Sequence, residues 1–382
     1  MQPAVSGEIT SSIEDVRALV LHQLELLWGE PALAPVIPPM MLWGPPGVGK
    51  SAVVREICEA KKIGFVDIRL AQREPIDLRG LPVPRGDTVD WLVSSEWPRD
   101  PSSRGIILFD ELTAADRTLQ VAAYELILDR RLGTLYQVPP GWYLMAAGNR
   151  AQDRAVAGAM SSALANRFCH LDVAPDVEGW LVWARLRGLH PEVLGLLALR
   201  PQLFFDMTST DVQRGWPSPR TWERVSVVLA HAKGLSASHL RRLVDGLVGP
   251  AAAAELMAFR EAAAALPDVP AMLEGREKIR IPTRSDQRYA LCAAVAFHLW
   301  RVTKRTAALE TLFDLLGQLT ADFATMLLTD SVRGRSEAEV KAVLSHPRFE
   351  ELRGTVGLAL TGRLTRETDA LIKGVLEGVL DG

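Results

Sequence analysis

The sequence lacks the features that mark secreted, membrane-spanning or metal-cluster proteins. Cysteine is scarce: Cys58, Cys169 and Cys292 are scattered, odd in number and without the spacing of metal ligands. We therefore expect each of them to be a small buried side chain in a reducing cytoplasm. The N-terminus has no charged segment followed by an apolar core, and no apolar run reaches about eighteen residues. These absences predict a soluble, cytosolic protein that does not enter a membrane.

Basic residues do not gather anywhere in the chain. The 43 Lys and Arg residues are balanced by 46 Asp and Glu, which gives a formal net charge of −3 with no Lys/Arg run. The sequence therefore offers no electrostatic footprint for nucleic acid or an anionic surface. It also has no repeat at a fixed period. Its 382 residues, 48% hydrophobic and 23% charged, are ordinary for about two or three globular domains.

One glycine-rich stretch, MMLWGPPGVGKS at residues 40–51, carries the strongest local pattern. It satisfies G-x-x-x-x-G-K-[ST], in which backbone N–H groups cradle phosphates, the lysine reaches the β- and γ-phosphates and the hydroxyl binds Mg²⁺. The alternative is that the glycines only make a turn. An apolar strand before the loop and a helix over residues 52–62 favour the phosphate loop, because the N-terminus of that helix then faces the phosphates. The residues that we expect to bind nucleotide are Gly44, Pro45, Pro46, Gly47, Val48, Gly49, Lys50, Ser51 and Ala52.

A second pattern, IILFDE at residues 106–111, is an apolar strand that ends in two carboxylates. In this Walker-B arrangement the strand delivers an Asp to the Mg²⁺ side of the phosphate loop, and the next Glu orients and deprotonates the attacking water. It predicts Asp110 and Ser51 as Mg²⁺ ligands and Glu111 as the catalytic base. Such a run is common by chance, but here it follows a phosphate loop and one further strand, residues 64–70, which makes it specific.

Helical and strand patterns alternate through the first 175 residues. Ser11 and Glu14 form a possible capping box that opens a helix to about Trp28, which should pack beside the nucleotide site. The apolar face of this helix carries Ile13, Val16, Val20, Leu24 and Leu27. Residues 71–104 hold five prolines and two short apolar pieces, so they are either a functional excursion or a plain surface loop.

The rest of the alternating region ends in polar residues placed after strands. A helix is expected over residues 117–130 and a strand–turn–strand pair over residues 133–147, followed by Asn149 at the carboxyl end of a buried strand. A helical segment at residues 161–167 leads to a strand at 168–173. Beyond residue 175 helical periodicity dominates, with a softer boundary between residues 267 and 282.

With the phosphate loop, IILFDE, AAGNR and LANRF in this order, the first 175 residues resemble an AAA+ ATPase. Within that superfamily they resemble the MoxR branch, close to the group that contains CbbQ and GvpN. The resemblance is specific over residues 40–225 and thin afterwards. It implies an α/β P-loop core with a parallel sheet flanked by helices at residues 1–175, an all-α lid at 176–270 and a helical C-terminal extension at 271–382. It also implies an insert at 71–104 and a hairpin at 132–147, both projecting towards the central pore or face of a ring.

The same resemblance implies roles for three residues outside the two motifs. Asn149 matches sensor 1, which helps to position the attacking water, and Arg167 matches the arginine finger offered to the neighbouring subunit. Arg220, in PSPRTWE, matches the sensor-2 arginine of the lid. Each arginine could instead be an ordinary surface residue or ion-pair partner. Four further arginines could also reach a neighbour's phosphates: Arg130, Arg131, Arg150 and Arg154.

The function that these expectations support is Mg²⁺-dependent hydrolysis of ATP to ADP and phosphate by a hexameric ring that remodels a protein client. The resemblance adds a partner with a von Willebrand A domain. A nucleic-acid motor of helicase, clamp-loader or restriction-translocase type on the same core is the alternative, which the charge balance disfavours. A third possibility is a nucleotide-binding scaffold that does not hydrolyse ATP, which the presence of both Asp110 and Glu111 disfavours.

Overall fold

A computed structural model of the chain describes residues 9–150, 153, 158, 160, 162–207, 214–349 and 351–352. The chain divides into two compact units, Met1–Asp176 and Val177–Gly382. The first unit is α/β, and the described part of the second is helical. No helix among the described residues is both long enough and apolar enough to cross a bilayer.

A six-stranded parallel sheet forms the centre of the first unit, as the sequence predicts. The strands are in the order β1-β10-β2-β9-β6-β3, and every neighbouring pair is parallel. The strands β6 and β9 are almost entirely buried, which explains their continuous apolar sequences. The strands of the chain are β1 (Thr10–Ser11), β2 (Met40–Trp43), β3 (Gly64–Arg69), β4 (Leu81–Arg85), β5 (Thr88–Leu92), β6 (Gly105–Asp110), β7 (Arg131–Leu132), β8 (Tyr136–Gln137), β9 (Trp142–Gly148) and β10 (Cys169–Val173).

Five helices accompany the strands among the described residues of the first unit. They are α1 (Ile13–Gly29), α2 (Lys50–Lys61), α3 (Pro75–Arg79), α4 (Arg117–Asp129) and α5 (Ser162–Ala165). The apolar face predicted for α1 is confirmed at Val16, Val20, Leu24 and Leu27, which are all buried. Helix α4 begins at the Asp116 cap, whose carboxylate accepts hydrogen bonds from two backbone N–H groups.

The cap of α1 differs from the predicted one. Ser12 is the N-cap residue: its hydroxyl accepts from the Asp15 N–H at 3.1 Å, and the Asp15 carboxylate accepts from the Ser12 N–H at 2.7 Å. The predicted box of Ser11 and Glu14 is wrong because Ser11 belongs to β1, where it pairs with Val173. Three consecutive Thr or Ser residues, 10–12, could each cap the helix, and the sequence does not show which of them belong to a strand instead.

The excursion at residues 71–104 contains the short helix α3 and an antiparallel hairpin of β4 and β5. Leu81 lies opposite Leu92 in this hairpin, and a two-residue turn with Gly86 at φ 60° joins its strands. The exposed fraction is 52% for Leu81 and 44% for Trp91. These apolar side chains therefore lie at the surface of the unit.

The structure confirms the predicted buried strand at residues 142–147 but contradicts the predicted hairpin at residues 132–147. The hairpin is shorter, because β7 pairs only with β8. Strand β9 pairs instead with β2 and β6 in the large sheet. Its seven buried residues suit the centre of that sheet and would be exposed in an isolated hairpin.

The cysteine prediction is right for two residues and wrong for the third. Cys58 and Cys292 are buried, and burial raises the pKa of each thiol to about 12. Cys169 is exposed. It is the first residue of β10, before the point where β1 pairs with that strand.

Nine helices build the described part of the second unit around two hydrophobic clusters. One cluster lies mainly among α6 to α9, and the other among α10 to α14. Helix α11 contributes Ala290 to the first cluster and Leu291 to the second. The helices are α6 (Val177–Leu186), α7 (Pro191–Leu199), α8 (Pro219–Ala230), α9 (Ala237–Ala264), α10 (Val269–Leu273), α11 (Ser285–His298), α12 (Arg305–Gln318), α13 (Ala321–Val332) and α14 (Glu337–Leu344). The finer division at about residue 270 stays a prediction.

A buried ion pair connects the first helix of this second unit to α13. The Arg185 guanidinium on α6 lies 2.7 Å from the Asp330 carboxylate on α13, and both side chains are largely buried. Burial raises the pKa of Asp330, while the nearby Arg185 lowers it. Breaking such a pair from one side is costly because a buried charge loses its partner.

We expect Arg185→Ala to lower the free energy of unfolding by about 3–5 kcal/mol at pH 7.5. Without Arg185 the pKa of Asp330 should rise further, and a carboxyl whose pKa is raised by folding costs stability as the pH climbs through that pKa. The loss measured by urea unfolding should therefore be smaller at pH 5 than at pH 7.5. The control is Arg276→Ala, which removes an exposed pair with Glu274 and should change stability little. An equal loss at both pH values would contradict the prediction.

Candidate active site

The phosphate-loop stretch joins β2 to α2 and needs glycine at three positions. Gly44, Gly47 and Gly49 have φ values of 152°, 83° and 110°, which side chains rarely adopt. A Cβ atom on Gly44 would also lie 2.5 Å from the Val173 carbonyl oxygen of β10. The loop therefore passes too close to the neighbouring strand for any other residue. Its last two motif residues, Lys50 and Ser51, form the first turn of α2.

The Lys50 ammonium group joins the two halves of this site. It donates to the carbonyl oxygens of Gly44 at 2.6 Å and Pro45 at 3.0 Å, and to the Asn149 side-chain oxygen at 3.2 Å. Asn149 follows β9, the strand beside β2. The structure thus brings the predicted lysine and the predicted polar residue into direct contact, although 99 residues separate them.

The Ser51 hydroxyl donates to one carboxylate oxygen of Asp110, at the end of β6. These are the two oxygen groups predicted to hold Mg²⁺, and they are in contact. The described residues contain no group of three or more His, Cys, Asp or Glu side chains arranged to hold a metal. A pair of oxygen ligands fits Mg²⁺, which keeps several waters and takes further ligands from substrate phosphates.

Glu111 stands on a strained turn directly after β6. Its φ is 58°, a left-handed conformation that costs about 1–2 kcal/mol for a residue with a side chain. Its N–H donates to the second Asp110 oxygen at 2.9 Å, and the next N–H, of Leu112, donates to Ala147 of β9 at 3.0 Å. Those bonds hold the turn, so the placement of the predicted base is set by the backbone.

Thr113 completes the turn and was not found by sequence reasoning. Its buried hydroxyl donates to the Asn149 carbonyl and accepts from the Asn149 N–H, both at 3.2 Å. A Cβ atom on Gly148 would lie 2.8 Å from this hydroxyl, so β9 must end in glycine for the contact to form. Thr113 therefore connects the turn of Glu111 to the residue that contacts Lys50. The only sequence feature that links Thr113 to the site is its position three residues after Asp110.

A third acid, Asp67 on β3, lies near Asp110. Burial raises the pKa of Asp67, and the charge of Asp110 adds to that rise. One Asp67 oxygen is 3.2 Å from the Arg55 guanidinium, and the other is buried without a hydrogen-bond donor among the described residues. Sequence reasoning missed Asp67 because nothing in FVDIRL distinguishes it from an ordinary strand residue.

The arginines predicted near the site occupy different surroundings. Arg167 is exposed in the turn between α5 and β10. Arg150 lies 3.3 Å from both Asp153 and Asp172 of its own unit. In the second unit, Arg220 is an exposed residue in the first turn of α8, where the helix dipole disfavours a cation. The functional roles of Arg167 and Arg220 stay predictions.

Arg130 does not fit the expectation that it could reach a neighbour's phosphates. Its guanidinium is inside the unit, where it donates to the carbonyl oxygens of Pro139 at 3.1 Å and Trp142 at 2.7 Å. Burial lowers the pKa of Arg130 to about 10. Arg131 is exposed, 3.9 Å from Glu125, and Arg154 lies outside the described residues.

Residues 39–168 match the family model of the AAA domain, dynein-related subfamily. These residues form an AAA domain. The match covers the phosphate loop, the strand ending in Asp110, and Asn149, and it ends just before β10. The AAA domain together with this site supports ATPase activity, with ATP and ADP as the nucleotides. The finer assignment to a MoxR branch does not follow from the match.

No curated protein sequence matches the chain. Among solved structures, NtrX from Brucella abortus in complex with ADP is 18% identical over 91% of this chain and 68% of its own, with a TM-score of 0.34. RuvB from Thermotoga maritima is 17% identical over 79% of this chain and 90% of its own, with a TM-score of 0.35. TM-scores of this size support no statement about what this chain does.

Two substitutions in the AAA domain should separate nucleotide binding from turnover. Lys50→Ala should abolish ATP binding because it removes the cation that faces the phosphates. Glu111→Gln should keep binding and slow hydrolysis by about 10²–10⁴-fold because it removes the base. Calorimetric ATP titration and phosphate release measure the two effects. Wild-type turnover in Glu111→Gln would show that the base is another residue.

Thr113→Val should lower turnover about tenfold and leave ATP affinity nearly unchanged, because it keeps the side-chain shape but leaves the Asn149 N–H unpaired. The matched control is Thr118→Val, at an exposed position of α4. Phosphate release under saturating ATP is the measurement, with circular dichroism as a check on folding. Equal rates in the two variants would remove Thr113 from the site.

Proposed function

We propose that this protein is a Mg²⁺-dependent ATPase that works as a ring, hexameric in its assembled form, and remodels a protein client in the manner of MoxR proteins. A protein with a von Willebrand A domain would deliver the client or be the client. The observation that carries the proposal is the complete hydrolytic constellation around Lys50, Asp110 and Glu111, together with an exposed Arg167 two residues before β10.

The residues of the site divide the work of hydrolysis. Lys50 faces the β- and γ-phosphates, and Ser51 and Asp110 hold Mg²⁺, which neutralises charge on the phosphate oxygens. Glu111 orients the attacking water and accepts its proton, and Asn149 fixes the position of that water. The Lys50–Asn149 contact supports this division because it places both side chains at one end of the sheet.

Arg167 supports assembly as a ring. It is exposed, so its guanidinium is available to a neighbouring molecule. An arginine supplied from outside a phosphate site stabilises transition-state charge and contributes on the order of 10³–10⁵ in turnover in GTPases. A second subunit that inserts this residue would make each site complete only at a subunit boundary.

The hairpin of β4 and β5 supports a protein client. Leu81, Val89, Trp91 and Leu92 are each more than two-fifths exposed. Exposed apolar side chains on a protruding hairpin suit contact with unfolded or partly folded protein better than contact with the phosphates of nucleic acid. The net charge of −3 agrees with this choice. DNA-stimulated ATP turnover would revive the nucleic-acid motor.

Replacing Leu81, Val83 and Trp91 together by Ser should leave basal ATP turnover within about twofold of wild type, because surface changes of this kind cost little stability. Stimulation of turnover by reduced casein, used as an unfolded model client, should be lost. The control is Val36→Ser, which changes an apolar residue that is 71% exposed before β2. Loss of fold by circular dichroism would show that the hairpin residues are core, and retained stimulation would exclude a client role.

Arg167→Ala should bind ATP almost normally and hydrolyse it very slowly, because a finger acts on the transition state. Mixed with Lys50→Ala, which is also inactive, it should recover part of the activity, since some subunit boundaries then pair an intact loop with an intact finger. Subunit exchange is confirmed first with labelled protein. Wild-type turnover in Arg167→Ala, or wild-type activity that persists at dilutions where light scattering reports monomers, would overturn the ring mechanism.

A further inference from the structure

His170, on β10, joins two parts of the AAA domain that the proposed mechanism treats separately. Its Nδ1 accepts a hydrogen bond from the Trp43 indole N–H at 2.8 Å, and its Nε2 is 2.7 Å from the Ala165 carbonyl oxygen. The Trp43 and His170 rings stack with centroids 6.0 Å apart and an interplanar angle of 18°. One imidazole thus connects the end of β2 to the end of α5.

The chemistry of the two partners determines the state of the ring. An indole N–H can only donate and a carbonyl oxygen can only accept, so Nδ1 is unprotonated and Nε2 carries the hydrogen. Both nitrogens of the imidazole are therefore used in hydrogen bonds.

One end of this connection lies beside the phosphate loop, and the other lies beside Arg167. Trp43 is the residue before Gly44, whose carbonyl accepts from Lys50. Ala165 is two residues before Arg167, and the Arg167 N–H is bonded to the last turn of α5 at the Leu164 carbonyl. The ring of the buried Phe168 meets the His170 ring edge-on at 6.0 Å, which fixes the chain between them.

A second side chain of β10, Asp172, also contacts a neighbouring part of the site. Asp172 projects to the same face of β10 as His170, since side chains two residues apart share a face. Its carboxylate is 3.3 Å from Arg150, the residue after Asn149. Strand β10 therefore holds the phosphate loop through His170 and the end of β9 through Asp172.

We infer that His170 is a positioning residue that connects the phosphate loop of one subunit to the Arg167 that the same subunit offers to its neighbour. A displacement of the loop by nucleotide moves Trp43, and the imidazole passes the displacement to the turn of Arg167. The inference rests on the proposed function of Arg167 as a finger. It adds a residue that makes the pose of the finger depend on the nucleotide held by its own subunit.

The test compares two replacements of His170 in the full-length protein. His170→Phe keeps the stacking on Trp43 but removes both hydrogen bonds, and it should lower the maximal rate of ATP hydrolysis about tenfold with ATP affinity unchanged. His170→Gln has an amide oxygen that can accept from Trp43 and an NH₂ that can donate to Ala165, so it should recover most of the rate. Cys169→Ser, one residue earlier, is the control and should behave as wild type. Equal rates in the Phe and Gln variants would overturn the inference.

Trp43→Phe removes the same hydrogen bond from the other side and guards against a folding defect particular to position 170. It should reproduce the loss in maximal rate, and the double variant with His170→Phe should be no slower than either single variant. Additive losses would show that the two residues act independently and would overturn the connection.

Arg167→Ala separates this inference from the proposed function. If His170 acts through the finger, His170→Phe should change single-turnover hydrolysis little in the Arg167→Ala background. A further tenfold loss there would mean that His170 acts elsewhere, and the inference would fail while the finger stands. Wild-type turnover in Arg167→Ala alone would instead remove the finger itself.

Discussion

The contacts of the Lys50 ammonium group are the interaction on which the site depends. They join the phosphate loop, at the end of β2, to Asn149, at the end of β9. This is possible because the strands of the central sheet are all parallel, so their carboxyl ends meet at one edge. Asp110 and Glu111 reach the same edge through β6, which lies beside β9. The chemistry follows from strand direction and strand order together.

The turn after β6 shows how the fold tolerates strain at that edge. Glu111 has a left-handed backbone, and such a conformation persists only where surrounding bonds determine it. Here the Glu111 N–H donates to Asp110, the Leu112 N–H donates to Ala147, and the Thr113 hydroxyl donates to Asn149. The backbone of the predicted base is therefore held by hydrogen bonds to β6 and β9.

The elements outside the sheet differ in what they contribute. The hairpin of β4 and β5 buries little of its apolar surface, so it adds little to the stability of the first unit. The second unit has two apolar clusters and an ion pair that connects α6 to α13. It is a packed body with its own hydrophobic clusters.

The sequence alone determined the phosphate loop, the carboxylates after β6, the alternation of strands and helices in the first unit and the helical second half. Those features depend on local backbone geometry and on continuous apolar runs, which neighbouring residues in the chain specify. The sequence also predicted Asn149 as a site residue, because it follows a buried strand.

Only the tertiary structure decided which side chains meet across strands. Thr113 contacts Asn149, Asp67 lies near Asp110, and His170 contacts Trp43, because particular strands are neighbours in the sheet. Arg130, conversely, is buried and donates to two carbonyl oxygens, although nothing in the sequence distinguishes it from the other arginines predicted near the site. Strand β9 pairs with β2 and β6 instead of completing the predicted hairpin. Such choices depend on pairings between residues far apart in the chain, and no local pattern records them.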